Sequence, residues 1–152
     1  MDEPQTVLAK ALIGTWWLID RIDRAADGGV RPEPTLGSDP LAMVTYTGER
    51  FAAQFMRRDR ATSTSTSAPA ASGTLVNNTS AVDGYDAYFG TYRIGDNGLV
   101  RHKLDAAITR ANIGMEVERR LSVEGDQLTI VLETKTAGGE PVTRTLRWKR
   151  IG

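Results

Sequence analysis

Cysteine is absent from the 152 residues, which removes disulfides, thiolate metal sites and cysteine nucleophiles together. Such a composition suits a reducing compartment. Histidine is nearly absent as well. With His102 alone and no cysteine, an ordinary transition-metal site cannot be assembled, so neither a metal nor a cofactor is expected. Charge of one sign is also missing. Nineteen basic and nineteen acidic residues cancel without forming a block, so nucleic acid and anionic membrane surfaces are not expected partners. No apolar run approaches the roughly 20 residues that cross a bilayer. The start Met1-Asp2-Glu3-Pro4 lacks the basic and apolar regions of a secretory signal. Together these features predict a soluble, cytoplasmic protein, in which the glycosylation patterns at Asn77 and Asn78 are chance matches. Missing too are a Gly-rich phosphate loop, a Gly-x-Ser-x-Gly elbow and a dinucleotide fingerprint, which leaves kinase, serine hydrolase and nicotinamide chemistry without support.

What is present reads as one domain over residues 1–152. Pro4 to Leu12 carries Val7, Leu8, Ala11 and Leu12 on one stripe and predicts a short amphipathic helix. Thr15 to Ile22 is aromatic and β-branched, a first strand with Trp16, Leu18, Asp20 and Ile22 on a shared face. After a Gly/Pro-rich loop, Leu41 to Thr47 and Phe51 to Met56 form a hairpin around Gly48-Glu49-Arg50. Residues 57–82 turn Ala/Ser/Thr-rich and poor in large apolar side chains, a composition read as a loose loop, with a lid over a cavity mouth as the functional alternative. Strand patterns resume at 84–106, 114–123, 128–132 and 142–150. About eight strands joined mostly by short turns predict an antiparallel meander, closed as a barrel or folded as a sandwich. A closed barrel of that size holds one small ligand.

The hairpin from Gly84 to Ala106 carries the most chemistry. Alternation puts Tyr88, Gly90, Tyr92 and Ile94 on one face with Val100, His102, Leu104 and Ala106. An apolar surface with two phenols and one imidazole suits a pocket wall. His102 is a candidate acid or base, and equally a buried histidine satisfied by a neighbouring hydroxyl. Tyr88 and Tyr92 could orient a ligand carbonyl or donate to an oxyanion, or simply fill the barrel. Gly90 leaves room for a ligand or lets the sheet bend. Arg119, among Met115, Val117, Leu121 and Val123, needs a partner: a carboxylate, for which Asp20 on the inward parity of the first strand is the candidate, a carbonyl cluster, or an anionic ligand. Tyr46 and Gln54 complete the inward polar set.

Several motifs in order along nearly the whole chain resemble the bacterial and fungal lipocalin-like domain family. They are Leu12-Ile13-Gly14-Thr15-Trp16, Val44-Thr45-Tyr46-Thr47-Gly48, Met56-Arg57-Arg58-Asp59-Arg60, Tyr88-Phe89-Gly90-Thr91-Tyr92, Arg119-Arg120-Leu121 and Leu146-Arg147-Trp148-Lys149-Arg150. The chain departs from the family pattern in the Ser/Thr/Ala run from Thr62 to Gly73. The resemblance implies an all-β fold, an eight-stranded antiparallel up-and-down β-barrel with a short N-terminal helix. It also implies an end plug in which Arg144 or Arg150 lies near Trp16 and Trp148. Wider relatives carry hydrophobic small molecules, and barrels of similar build serve as cyclases, isomerases or hydratases in secondary metabolism.

Two functions follow as expectations. In the first, a small hydrophobic or amphipathic ligand with a polar or anionic group binds among Asp20, Tyr46, Gln54, Tyr88, Tyr92, His102 and Arg119. In the second, the same cavity is a cofactor-independent enzyme in which His102 moves a proton while Tyr88 or Tyr92 polarises a carbonyl. A third reading makes the barrel a scaffold or homodimer module.

Overall fold

A computed structural model describes residues 2–61 and 81–152. Helix α1 (Glu3–Leu12) starts with a capping box, in which the Asp2 side chain accepts from the Gln5 backbone and the Gln5 side chain accepts from that of Asp2. Strand β1 (Gly14–Ala25) follows, with the two-residue strand β2 (Val30–Arg31) folded back on it. Then come β3 (Leu41–Tyr46), β4 (Arg50–Met56), β5 (Tyr85–Ile94), β6 (Leu99–Ala107), β7 (Glu116–Glu124), β8 (Gln127–Lys135) and β9 (Pro141–Arg150).

From β3 to β9 each strand pairs antiparallel with the next. Because β1 pairs with β3 through residues 14–17 and with β9 through residues 16–25, the sheet closes on itself. The result is an eight-stranded antiparallel barrel with β2 as a short flap, so the barrel expectation holds and the sandwich does not. Closure leaves no long unpaired edge. It also gives every strand one inward face, on which Leu18, Val44, Phe55, Val100, Leu121, Leu128 and Trp148 form the core.

Two irregularities decide what reaches that interior. In β1 the register with β9 shifts between Leu18 and Asp20, a β-bulge that adds one residue to the strand. Beyond it the inward set is Arg21, Asp23 and Ala25, whereas Asp20 and Ile22 follow the opposite parity. The expectation that Asp20 and Ile22 share the face of Trp16 is therefore corrected, since one extra residue exchanges the two faces. The second shift lies between β5 and β6, next to Gly90. A Cβ on Gly90 would come within 1.8 Å of the Lys103 carbonyl oxygen, so the glycine serves close strand approach and not ligand space.

One end of the barrel is sealed. The Trp16 indole donates to the Leu12 carbonyl (3.0 Å), and Leu12 is fully buried beside it. The Arg150 guanidinium lies 4.2 Å above the Trp16 ring and donates to the carbonyls of Ala11 (2.7 Å) and Ile13 (2.9 Å). Those carbonyls end α1, where no backbone donor remains for them, so Arg150 acts as the helix's C-terminal clamp. Of the two arginines considered for this plug, Arg150 fills the role and Arg144 does not. The segment 57–82 is described only at its ends, as a 3-10 turn at Arg58–Ala61 and a bridge between Val82 and Tyr85. Of the loop or lid read over residues 57–82, residues 62–80, with the glycosylation patterns among them, lie outside the described residues. Among the described residues no helix is long and apolar enough to cross a membrane.

Candidate functional site

Inward side chains from β1 and β3 to β9 surround a cavity of about 380 Å³. Phe51, Phe55, Leu104, Val117, Ile130 and Trp148 supply much of an apolar wall. Into it project Tyr46, Tyr88, His102 and Arg119, which the sequence reading grouped together, and also Arg21, Asp86 and Arg144.

Tyr46 and His102 meet across the barrel. Two strands separate β3 from β6, yet the Tyr46 hydroxyl lies 2.8 Å from His102 Nε2, because curvature turns both inward faces toward one space. Phe51 packs edge-on against the imidazole at 4.7 Å, and Tyr92 edge-on against Tyr46 at 5.1 Å. Burial, with the Arg119 charge second, pushes the His102 pKa down to about 3, so the ring is neutral around pH 7. The Val100 backbone favours a proton on the ring, but outside hydrogen-bond geometry, and Nδ1 has no partner among the described residues. Burial likewise pushes the Tyr46 phenol up, so it stays protonated.

Tyr88 stands where the charges converge. Its phenol is pushed up to about 12, by burial first and then by Asp86, with Arg119, Arg21 and Arg144 opposing. Two of those arginines have acidic partners. Arg144 grips Asp23 in a two-pronged contact of 2.7 and 2.9 Å. Arg21 reaches Glu33 at 3.2 Å, and Glu33 also accepts from the backbone of Thr35 (2.8 Å) and Leu36 (3.0 Å). Burial and the Arg144 charge hold the Arg21 pKa below its usual value.

Arg119 is different. It donates to the Glu118 carbonyl (3.0 Å) and makes no ion pair among the described residues. Burial lowers its pKa, but an arginine so placed still carries its charge. Asp86 is its counterpart of opposite sign: only 6% exposed, with Oδ1 unpartnered among the described residues. Burial raises its pKa to about 6, and the Ala87 backbone and the Arg21 charge offset this only in part. The buried side-chain polar atoms without a hydrogen-bond partner among the described residues are Asp86 Oδ1, His102 Nδ1 and Trp148 Nε1. All three residues line this one cavity. Buried polar groups are almost always satisfied, so three such atoms in residues around one cavity depart from the usual pattern.

Three residues expected here lie elsewhere. Asp20 faces outward and pairs with Arg147, so it is no partner for Arg119; the β1 bulge is the reason. Gln54 is exposed and accepts from the Tyr85 hydroxyl, because β4 turns Phe51, Ala53 and Phe55 inward. Tyr92 does face inward, but its hydroxyl donates to the Thr47 carbonyl (2.5 Å) at the barrel's end and does not reach the cavity. Asp86 was missed although it was legible: it shares the parity of Tyr88, Gly90 and Tyr92, one step further back. Arg21 and Asp23 had no such signal. Among the described residues no group of three histidine, cysteine or acidic side chains could hold a metal ion.

Compared with protein families, residues 13–151 match the model of a lipocalin-like domain. No curated protein matches the chain.

Proposed function

We propose that this chain, which belongs to the lipocalin-like domain family, binds a small, largely apolar molecule with an anionic group inside its barrel. A closed eight-stranded barrel is wide enough to hold one such ligand. The observation that carries the finer reading is Arg119, a cation on an apolar wall without an ion pair among the described residues. Arg119 is half-buried, and a charge partly withdrawn from water gains from a ligand carboxylate through charge-assisted hydrogen bonds. The neighbouring groups agree. His102 is neutral and adds no further cation to the arginines, and Tyr88 and Tyr46 remain protonated and able to donate. At roughly 30 Å³ for each water-sized group, the cavity takes about a dozen non-hydrogen atoms.

The rival reading, a cofactor-independent cyclase, isomerase or hydratase, needs His102 to move a proton. With a pKa of about 3 the ring has no proton to give at neutral pH and is a weak base, and Nε2 is already engaged by Tyr46. These properties favour a carrier over a catalyst.

Titration with decanoate and with 1-decanol, followed by calorimetry, tests the proposal. Saturable one-to-one decanoate binding is expected. Arg119→Gln should weaken decanoate about 10- to 100-fold while changing 1-decanol by no more than about twofold. Equal weakening of acid and alcohol would show that Arg119 shapes the cavity without holding an anion.

A further inference from the structure

Resting on the anion-binding reading and deepening it, we propose that the cavity is entered sideways, through a wedge between β7 and β8, and that the ligand lodges tail inward with its anionic group in that wedge. The ligand class that follows is an amphipathic acid with a slim tail and freedom for bulk at its head.

The register defines the wedge. The turn at Gly125-Asp126 sets Glu124 opposite Gln127, and both strands are nine residues long, so a ladder run to its end would set Glu116 opposite Lys135. It stops instead at Arg120 and Val131, after five pairs. Beyond that point β8 continues against β9 as far as Lys135, while β7 continues against β6 as far as Glu116. The barrel wall therefore opens between residues 116–119 and residues 132–135. Exposure marks the same place. Tyr88 apart, the cavity-lining residues that are not buried are Asn112, Met115, Glu116, Val117 and Arg119, all on the approach to β7 or in its first half. Lining residues toward the end of the barrel away from α1, such as Arg21, Leu36, Asp86 and Arg144, are buried.

Arg119 stands at the apex, the first inward residue beyond the last pair. Met115 accepts from the Leu104 backbone on β6 (2.9 Å), and alternation from that bond turns the backbone of Val117 and Arg119 toward β6 and that of Glu118 toward the wedge. The Glu118 carbonyl is the one the Arg119 guanidinium holds at 3.0 Å, so the charge lies at the opening, half-buried. A carboxylate bound there has its tail along the Phe51, Phe55 and Trp148 wall and its other substituents toward solvent. Three acids flank the wedge. Glu118 is paired with Arg101 (3.2 Å), and Glu133 accepts from the Thr143 hydroxyl (3.1 Å). Glu116, exposed and without an ion pair among the described residues, is the charge an entering anion must pass.

Association rates test the entrance, read by tryptophan fluorescence in stopped flow because Trp148 lines the cavity. At low salt, Glu116→Lys should speed decanoate association about threefold or more beyond Asp39→Lys, which lies on the loop that carries Leu36, and should leave 1-decanol within about twofold. The chain has no cysteine, so Glu133→Cys offers a single thiol. Coupling it to a polyethylene glycol maleimide should slow entry and exit of both probes about fivefold or more, whereas the same label at Asp39→Cys should change them by no more than about twofold. Calorimetry tests the pose: 2-butyldecanoate outsizes the cavity by about four non-hydrogen atoms and should still bind within about threefold of decanoate. Failure of either rate comparison overturns the lateral entrance, and a greater loss for 2-butyldecanoate overturns the pose. In both cases the anion site stands if Arg119→Gln still weakens decanoate and spares 1-decanol. If no acid binds saturably, the anion-binding reading falls and this inference falls with it.

Discussion

Asp86→Asn should stabilise the protein at neutral pH and leave it nearly unchanged at pH 4. Burial lifts the Asp86 carboxyl from 3.8 to about 6. That difference of about 2 units corresponds to about 3 kcal/mol at 1.36 kcal/mol per unit. The sign follows from linkage. A carboxyl held above its unfolded value binds its proton more tightly when folded, so the penalty is absent below about pH 3.8, grows as pH rises, and is complete above about 6. His102 runs the other way. Depressed from 6.5 to about 3, it contributes stability that is complete above 6.5 and is lost as pH falls toward 3. Between pH 4 and 6 the two slopes, each about 1.4 kcal/mol per pH unit, oppose and largely cancel. The wild-type chain should therefore show little dependence from this pair, and Asp86→Asn should expose the His102 slope. The groups acting on Asp86 are the Ala87 backbone and Arg21, both of which favour its charged form; Tyr88, Arg119, Arg144 and Glu116 line the same cavity. Since the asparagine amide is itself imperfectly satisfied, the net gain at pH 7.5 is set at about 1–3 kcal/mol. Urea denaturation of both chains at pH 4, 5, 6 and 7.5 measures it. An equal gain at pH 4 and pH 7.5, or none at all, would refute the claim that Asp86 is held charged at a cost.

Other perturbations separate the cavity from its frame. Tyr46→Phe removes the partner of His102 Nε2 and leaves both ring nitrogens unsatisfied, so a loss of about 1–3 kcal/mol is expected in urea unfolding. Arg150→Met keeps an apolar cover over Trp16 but drops two charge-assisted bonds to the end of α1. With the arginine side chain 28% exposed, this should cost about 1–3 kcal/mol and raise amide exchange in residues 9–13. Gly90→Ala forces a methyl onto the Lys103 carbonyl and should cost about 3 kcal/mol or more by the same unfolding assay, since neither strand can move away.

The frame of this fold was legible because its signals are local. The Pro4 stripe, the Thr15-to-Ile22 run and the Gly-centred turns each announce an element over a few residues. The face shared by Tyr88, Tyr92, His102 and Leu104 needed only a period of two. Parity, however, tells which side of a sheet a residue takes and nothing about its depth along the barrel. Tyr92 has the inward parity and still spends its hydroxyl on Thr47 at the closed end. Gln54 sits in a strand with apolar residues of both parities, Ala52 outward and Ala53 inward, so period could not orient it. Asp20 was lost for a third reason. A β-bulge leaves no mark in composition, and every assignment beyond it inverts.

That inversion also sets the charge of the cavity. Had β1 run without its bulge, Asp20 and Ile22 would face inward, while Arg21 and Asp23 would lie outside. Arg144 would lose the carboxylate that holds it in two-pronged contact, and a buried arginine without its partner costs about 3–5 kcal/mol. Asp20 would stand inside as a possible counter-ion for Arg119, as the uninterrupted parity suggests. With the bulge, Arg144 is matched by Asp23, Arg21 is matched by Glu33, and Asp20 is spent outside on Arg147. Arg119 and Asp86 then face the cavity with no ion pair among the described residues. One inserted residue on the first strand thus separates the charges paired within the barrel wall from the charges left facing its cavity.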